Sequence, residues 1–345
     1  MKKFLVIRRD NIGDLVCTTP LIHALRKRFP DARIDALVNS YNQPVLADNP
    51  DLNNVYAYTK AKHRETYETL VGVYWRRVKL MLALRHLRYD YVILAYCGFL
   101  PRALSLARWV GPRNVVGFVP SGTKIPAINT PVEIDDIARH EVENVFRLLK
   151  PLGIVTPPPA LQIHPGPESV AAAKKALGIA QKSVGKEVLV AIHISARKVP
   201  QRWPAERFAE LMRHLHTNWN CRFVLLWSPG DENNPLHPGD DGKAASIMAA
   251  TYDLPVLAYP TTQLSSLIGV LSICQAMVCS DGGAMHVGAG LGLPILCFFG
   301  NSDASKWYPW GVPKEVLQKP SRNVNDVSVK DAAEAFAILK TRANF

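Results

Sequence analysis

Short apolar runs alternate along the chain with longer segments in which apolar residues recur every three or four positions. In the first half, "KKFLVIR" and "ARIDALV" read as buried strands. Between them "PLIHALRKRF" reads as a helix, with Leu21, Ile22, Ala24, Leu25 and Phe29 on one side. A loop follows, then a long helical candidate, "RRVKLMLALRHLR", the strand "YDYVILAY", and the segments "PRALSLARWVG", "VVGFV" and "HEVENVFRLLKPLG". Strands alternating with helices predict βαβ units around a parallel sheet.

The pattern breaks at "IVTPPPALQIHPGPE", where five prolines in fifteen residues suit neither a helix nor a central strand. It then restarts. "EVLVAIHIS", "RFVLLWS", "AMVCS" and "PILCFFG" read as strands. "PAERFAELMRHLHTNW", "LSSLIGVLSIC", "GAMHVGAGLG" and "VSVKDAAEAFAILKTR" read as helices, the first with proline in its first turn and the last capped by Ser328. The expected architecture is α/β: two Rossmann-like domains, residues 1–165 and 166–345, joined by a proline-rich link. The final helix is a candidate to pack back on the first domain. Ligands of such domains lie at the carboxyl ends of the strands.

Length supports two domains, since single cores stop growing near about 250–300 residues and this chain has 345. A hydrophobic content of 48% and a charged content of 20% describe a globular protein. The opening "MKKFLVIRRD" has a basic start, but its apolar run is far short of the roughly 7–15 residues of a signal peptide. No run approaches the ~20 residues of a membrane span. A cytoplasmic protein is therefore expected. The six cysteines form no CxxC pair and are expected as free thiols.

The net charge of +12 is unevenly spread. Residues 1–150 carry 23 Lys and Arg against 14 Asp and Glu, a net of +9, and the remainder carries 18 against 15, a net of +3. The first half thus favours an anionic partner: nucleic acid, an acidic membrane surface or a charged acceptor.

Three strand-end segments carry candidate chemistry. In "VCSDGGAMHVGAGLGLPILCFFG", a strand runs into Asp281, Gly282 and Gly283 and then a helix. The glycines admit close backbone approach, the helix start offers unpaired N–H groups that suit a phosphate, and His286 adds a donor. The plainer reading is that Asp281 caps the helix and Gly288, Gly290 and Gly292 permit tight packing. In "HISARKVPQRWPAERF", Ser195, Arg197, Lys198 and Arg202 would suit a diphosphate, or form a solvated basic loop. In "LLWSPGDENN", Asp231 or Glu232 could accept from ribose hydroxyls. "GAGLG" is not GxGxxG, and neither GxxxxGK[ST], HExxH, GxSxG nor Asp-x-Asp occurs.

In this order, "NIGDLVCTTPLIHALRKRFPDARID", "RWPAERFAEL" and "SDGGAMHVGAGLGLPILCFFGNSD" resemble glycosyltransferase family 9, best known for the ADP-heptose:lipopolysaccharide heptosyltransferases. "HEVENVFRLLKPLGI" is similar to the family as well. The resemblance implies a GT-B fold with two Rossmann-like domains facing across a cleft, acceptor on the first and nucleotide-sugar on the second. It also implies inverting transfer with no metal and no cofactor beyond the nucleotide-sugar donor, ADP-heptose.

By position, Asp14 matches the family's general base, and Asp281, Gly282, Gly283 and His286 match its Asp-x-Gly-x-x-His. Glu232 falls at the ribose ligand, Ser195 at a small hydroxyl residue, and Thr262 among the donor contacts. Arg8, Arg9, Asp10, Asn11 and Gly13 fall on the acceptor side, with Asp10 pairing Arg8 or Arg9. One departure stands out: the family often has a lysine just before the Trp-Pro pair, and here stand Gln201 and Arg202. Either Arg202 or Lys198 could substitute for it.

The implied partners are an anionic lipopolysaccharide-core acceptor and the cytoplasmic face of the inner membrane, with no nucleic acid and a monomeric protein. "YWRRVKLMLALRHLR" could lie on an anionic membrane, or be an ordinary helix with one buried face. Two alternatives stay open: another sugar or a protein acceptor on the same fold, and a non-catalytic nucleotide-binding or nucleic-acid-binding protein.

Overall fold

A computed structural model describes residues 1–58, 70–178, 188–234 and 238–345. The chain divides into two compact units, Met1–Pro159 and Ala160–Phe345, at a point inside the proline-rich stretch.

The first unit is built on β1 (Lys3–Ile7), α1 (Ile12–Val16), α2 (Thr19–Arg28), β2 (Arg33–Asn39), β3 (Asn54–Tyr58), α3 (Leu70–His86), β4 (Tyr91–Leu94), α4 (Pro101–Val110), β5 (Asn114–Val119), β6 (Thr130–Glu133) and α5 (Glu141–Phe146). Its six strands are all parallel, in the order β3-β2-β1-β4-β5-β6. Both faces are covered, so β1 is apolar at every position after its first. Leu5, Ile7, Val92 and Leu94 meet Met81 and Leu84 of α3 and Leu104 and Ala107 of α4. On the other face Phe4 meets Phe29, just beyond α2, at 5.1 Å between ring centroids.

The second unit holds α6 (Pro167–Ala176), β7 (Val188–His193), α7 (Ala205–Trp219), β8 (Cys221–Trp227), α8 (Asp241–Ala250), β9 (Val256–Pro260), α9 (Leu264–Leu271), β10 (Ala276–Ser280), α10 (Gly283–Gly290), β11 (Ile295–Phe299), α11 (Ala304–Trp307), β12 (Lys314–Gln318) and α12 (Val329–Ala343). The order β12-β11-β10-β7-β8-β9 repeats the first sheet's topology. In each unit the first strand lies beside the fourth, and the chain direction of strand addition reverses there. In this core the rings of Trp203, Phe208 and Phe298 pack against one another, and Phe336 belongs to the same buried cluster. The final helix, α12, packs on α7, β11 and β12 of the same unit, and Ser328 caps it by accepting from Asp331 N.

One local expectation is corrected. Pro204 precedes α7 as its cap residue instead of sitting inside the first turn, because the helix starts at Ala205. Of the two roles expected for Asp281, capping α10 or holding a donor, the structure shows the second: the cap position is Gly282, and the carboxylate accepts from Gln201 and Ser302. Of the six free cysteines five are buried and Cys97 is exposed.

Candidate active site

The strand β1 ends in a charged turn. Arg8 is 2% exposed, and its guanidinium gathers three carboxylates: Asp14 Oδ1 at 2.6 Å, Glu141 Oε1 at 2.9 Å and Asp10 Oδ2 at 3.4 Å. It also donates to the Ala95 carbonyl. Burial works against the charge, but Asp14, Glu141 and Asp10 together hold its pKa above the ordinary arginine value. Asp14 is the third residue of α1, where a negative charge meets the helix N-terminus. Its second oxygen, Oδ2, accepts from Asn11 N at 3.2 Å and Asn11 Nδ2 at 3.1 Å. The turn itself is pinned: Tyr96 Oη accepts from Arg9 N at 3.1 Å, and Asp10 O accepts from Tyr41 Oη at 2.5 Å and Asn42 Nδ2 at 3.2 Å.

The structure therefore brings Arg8, Asp10, Asn11, Gly13 and Asp14 together at the carboxyl end of β1, beside β4, where the strand order reverses. The Arg8 side chain is committed to the protein itself. The Arg9 side chain makes no hydrogen bond or ion pair among the described residues. Glu141 was missed by sequence reasoning. In "HEVENVF" it stands among other polar residues, His140, Glu143 and Asn144, and nothing local pointed to a partner 133 residues away.

The second unit presents the corresponding edge where β7 and β10 end side by side. Gly300 follows β11, and a Cβ there would lie 2.1 Å from the Pro200 carbonyl. That absence lets the turn 199–201 approach, and Gln201 Nε2 donates to Asp281 Oδ2 at 2.9 Å and to Ser302 Oγ at 3.0 Å. Burial raises the Asp281 pKa, against the opposing pull of Ser302 and Lys198. Lys198 itself is exposed.

Beyond Asp281, Gly282 is extended at φ 165, and a Cβ there would meet nothing within 4 Å. The glycine is not required by the protein's own packing. Gly288 is the opposite case, since its Cβ would lie 2.6 Å from Met277 Sδ. His286 is buried in α10 with its ring 5.9 Å from that of Trp307.

Ser195 and Arg202 converge on a group that sequence reasoning did not single out. Buried Asp240 accepts from Arg202 Nη2, and burial raises its pKa against the opposing pull of Ser195 and Arg202. Ser195 Oγ also accepts from Ser228 N at 2.9 Å. Lys243 Nζ donates to Ile194 O at 3.0 Å, and burial pushes its pKa down to about 8 against the pull of Asp240. His193, at the end of β7, is pushed down to about 4 by burial and then by Lys243. The Trp-Pro signature is an anchor: Trp203 is fully buried, and its Nε1 donates to Val327 O at 3.0 Å. Glu232 and Thr262 are exposed on the loops after β8 and β9. Among the described residues no group of three or more His, Cys, Asp or Glu could hold a metal ion.

Comparison with known proteins places this arrangement. The family model described as "Glycosyltransferase family 9 (heptosyltransferase)" matches residues 77–336. Lipopolysaccharide heptosyltransferase 3 of Escherichia coli (strain K12) is 25% identical over 315 residues, covering 86% of this chain and 82% of the relative. A solved glycosyl transferase family 9 protein from Veillonella parvula DSM 2008 superposes with TM-score 0.80 at 20% identity, covering 99% of this chain and 97% of that one. The structure of E. coli ADP-heptose lps heptosyltransferase II gives TM-score 0.78 at 20% identity, with full coverage of both chains. The fold class is GT-B, two Rossmann-like α/β units, and the chain belongs to glycosyltransferase family 9, the heptosyltransferase family.

Proposed function

We propose that this glycosyltransferase moves a heptose from ADP-heptose to an anionic lipopolysaccharide inner-core acceptor, with inversion and without a metal. The observation that carries the reading is the Asp14 carboxylate, 14% exposed, at the switch point of the first sheet, one oxygen held by Arg8 and the other by Asn11. A carboxylate fixed in this way can take the proton from an acceptor hydroxyl as that oxygen attacks the anomeric carbon. The bond from that carbon to the diphosphate breaks, and ADP leaves with the electron pair. Backbone N–H groups at the start of α10, with Lys198, stabilise the charge that builds on it. Glu232 serves the ribose, with Ser195 and Thr262 lining the donor loops. Support for the donor and acceptor comes from the relatives, which are named lipopolysaccharide heptosyltransferases and, for one structure, an ADP-heptose lps heptosyltransferase.

A second reading, another nucleotide-activated sugar, is favoured by one observation: Gln201, near the family's lysine position, is neutral and bonded to Asp281. Incubation with ADP-heptose and, separately, with UDP-hexoses in the presence of a lipopolysaccharide-core acceptor distinguishes them. Nucleotide release only with ADP-heptose is expected. Release only with a UDP-hexose would favour the second reading, and no release with any heptose donor would sink the first.

A further inference from the structure

The helices α3 and α4 pack against each other over one face of the first sheet, so each keeps an outward side. On α3, Val71, Trp75, Lys79, Leu82 and His86 follow at helical spacing along one stripe. Val71 is 79% exposed, Trp75 60% and Leu82 48%, and on α4 Trp109 is 54% exposed beside exposed Arg102 and Arg108. Between positions 70 and 113 the chain carries eight Arg and Lys and a single acid, Asp90. That acid is already engaged by Lys3 N and Arg113. This one stretch accounts for most of the positive excess of the first half. Arg85 Nη1 donates to Trp109 O at 3.1 Å, tying the end of α3 to the end of α4, and Lys79 Nζ lies 5.6 Å from the Trp75 ring centroid. Soluble faces ordinarily mix both signs of charge and scatter their large apolar residues.

We propose that the outward face of α3 and α4 docks on an anionic lipid bilayer. Trp75 and Trp109 sit at headgroup depth, Val71 and Leu82 reach the first hydrocarbon, and the Arg and Lys residues meet lipid phosphates. A bilayer fits better than nucleic acid because Val71 and Leu82 gain from hydrocarbon and offer nothing to a base. The two helices run back against their strands, so the Val71 and Arg102 ends stand at the carboxyl edge of the sheet. Arg77 lies 5.1 Å from the ring centroid of Tyr58, the last residue of β3. An acceptor anchored in the bilayer is thereby presented to the edge that carries Asp14. That consequence rests on the proposed function, whereas the docking surface does not.

The test is co-sedimentation of the full chain with phosphatidylcholine vesicles, with and without anionic phosphatidylglycerol. Binding is expected only to the anionic vesicles, and should weaken as salt rises. The double variant Trp75→Ala/Trp109→Ala should bind about tenfold less tightly, and Lys79→Glu/Arg108→Glu weaker still. Melting temperature and nucleotide release with a soluble acceptor should not change. Failure of the wild type to bind anionic vesicles overturns the proposal. Unaltered binding by the tryptophan variant, or equal capture by heparin, overturns it in favour of a plain polyanion surface. Vesicle binding retained in a protein that releases no nucleotide from ADP-heptose would count against the proposed activity and leave the surface standing.

Discussion

At Asp14 each carboxylate oxygen has its own donor, and the donor to Oδ1 is a buried arginine that two further carboxylates also hold. Such a group is fixed in orientation before substrate arrives, which is what proton abstraction in a transition state needs. On the proposed mechanism, Asp14→Asn keeps the shape and loses the base. Turnover should fall by about 10²–10⁴-fold while ADP binding, measured by calorimetry, stays within about twofold of wild type. Retained turnover would show that the base lies elsewhere.

His193 sets a second expectation. Its pKa falls from 6.5 to about 4 in the folded chain, through burial and the neighbouring Lys243. Below the unfolded value the unfolded chain takes up the proton first, so stability present at neutral pH is lost as pH drops from 6.5 towards 4. Global stability should fall by about 3 kcal/mol over that window from this group. Urea melts at pH 7, 5.5 and 4 measure it, and His193→Asn should flatten the dependence. Asp14 was singled out because "NIGDL" resembles the family's segment with its Gly-Asp pair. Arg8 as its holder was not, because the pairing with Glu141 exists only once β1 and α5 are packed together.

Among the elements, legibility followed depth. The interior strands β1, β2, β4 and β5, and β7, β8, β10 and β11, are near-continuous apolar runs and were all readable. The four missed strands, β3, β6, β9 and β12, are the edges of the two sheets. Each is mostly half-exposed or exposed, with patterns such as "NVYAY" and "KEVLQ" that mix polar and apolar residues. Hydrophobic pattern reports burial, and an edge strand is recognised by a neighbour that the sequence does not name.

The α10 segment shows the same divide between packing and function. Gly288→Ala puts a methyl against Met277 Sδ and should destabilise by about 1–3 kcal/mol in denaturant melts. Gly282→Ala meets open space, so stability should change by less than about 0.5 kcal/mol. If the nucleotide approaches there, its affinity should drop by roughly tenfold or more. A Gly282→Ala protein with unaltered ADP affinity would remove the start of α10 from the donor site.

On the scale of the whole molecule, the proline-rich stretch holds no strand, and its only regular element is the first turn of α6 at Pro167, where a proline is tolerated. The second unit carries its own six-stranded sheet and its own aromatic core around Trp203. The segment Ala160–Phe345 expressed alone should therefore fold cooperatively and bind ADP within about tenfold of the full chain. An unfolded fragment, or one blind to ADP, would show that the first unit completes the site.

The repeated strand order has a consequence for how such proteins diversify. Each half is a finished fold with its own switch point, and the chain passes between them through prolines that belong to neither sheet. One half can then change while the other is inherited unaltered, and the same seam suits deliberate recombination. Chimaeras joined at Pro157–Pro159 exchange whole folding units between relatives and leave every strand pairing intact.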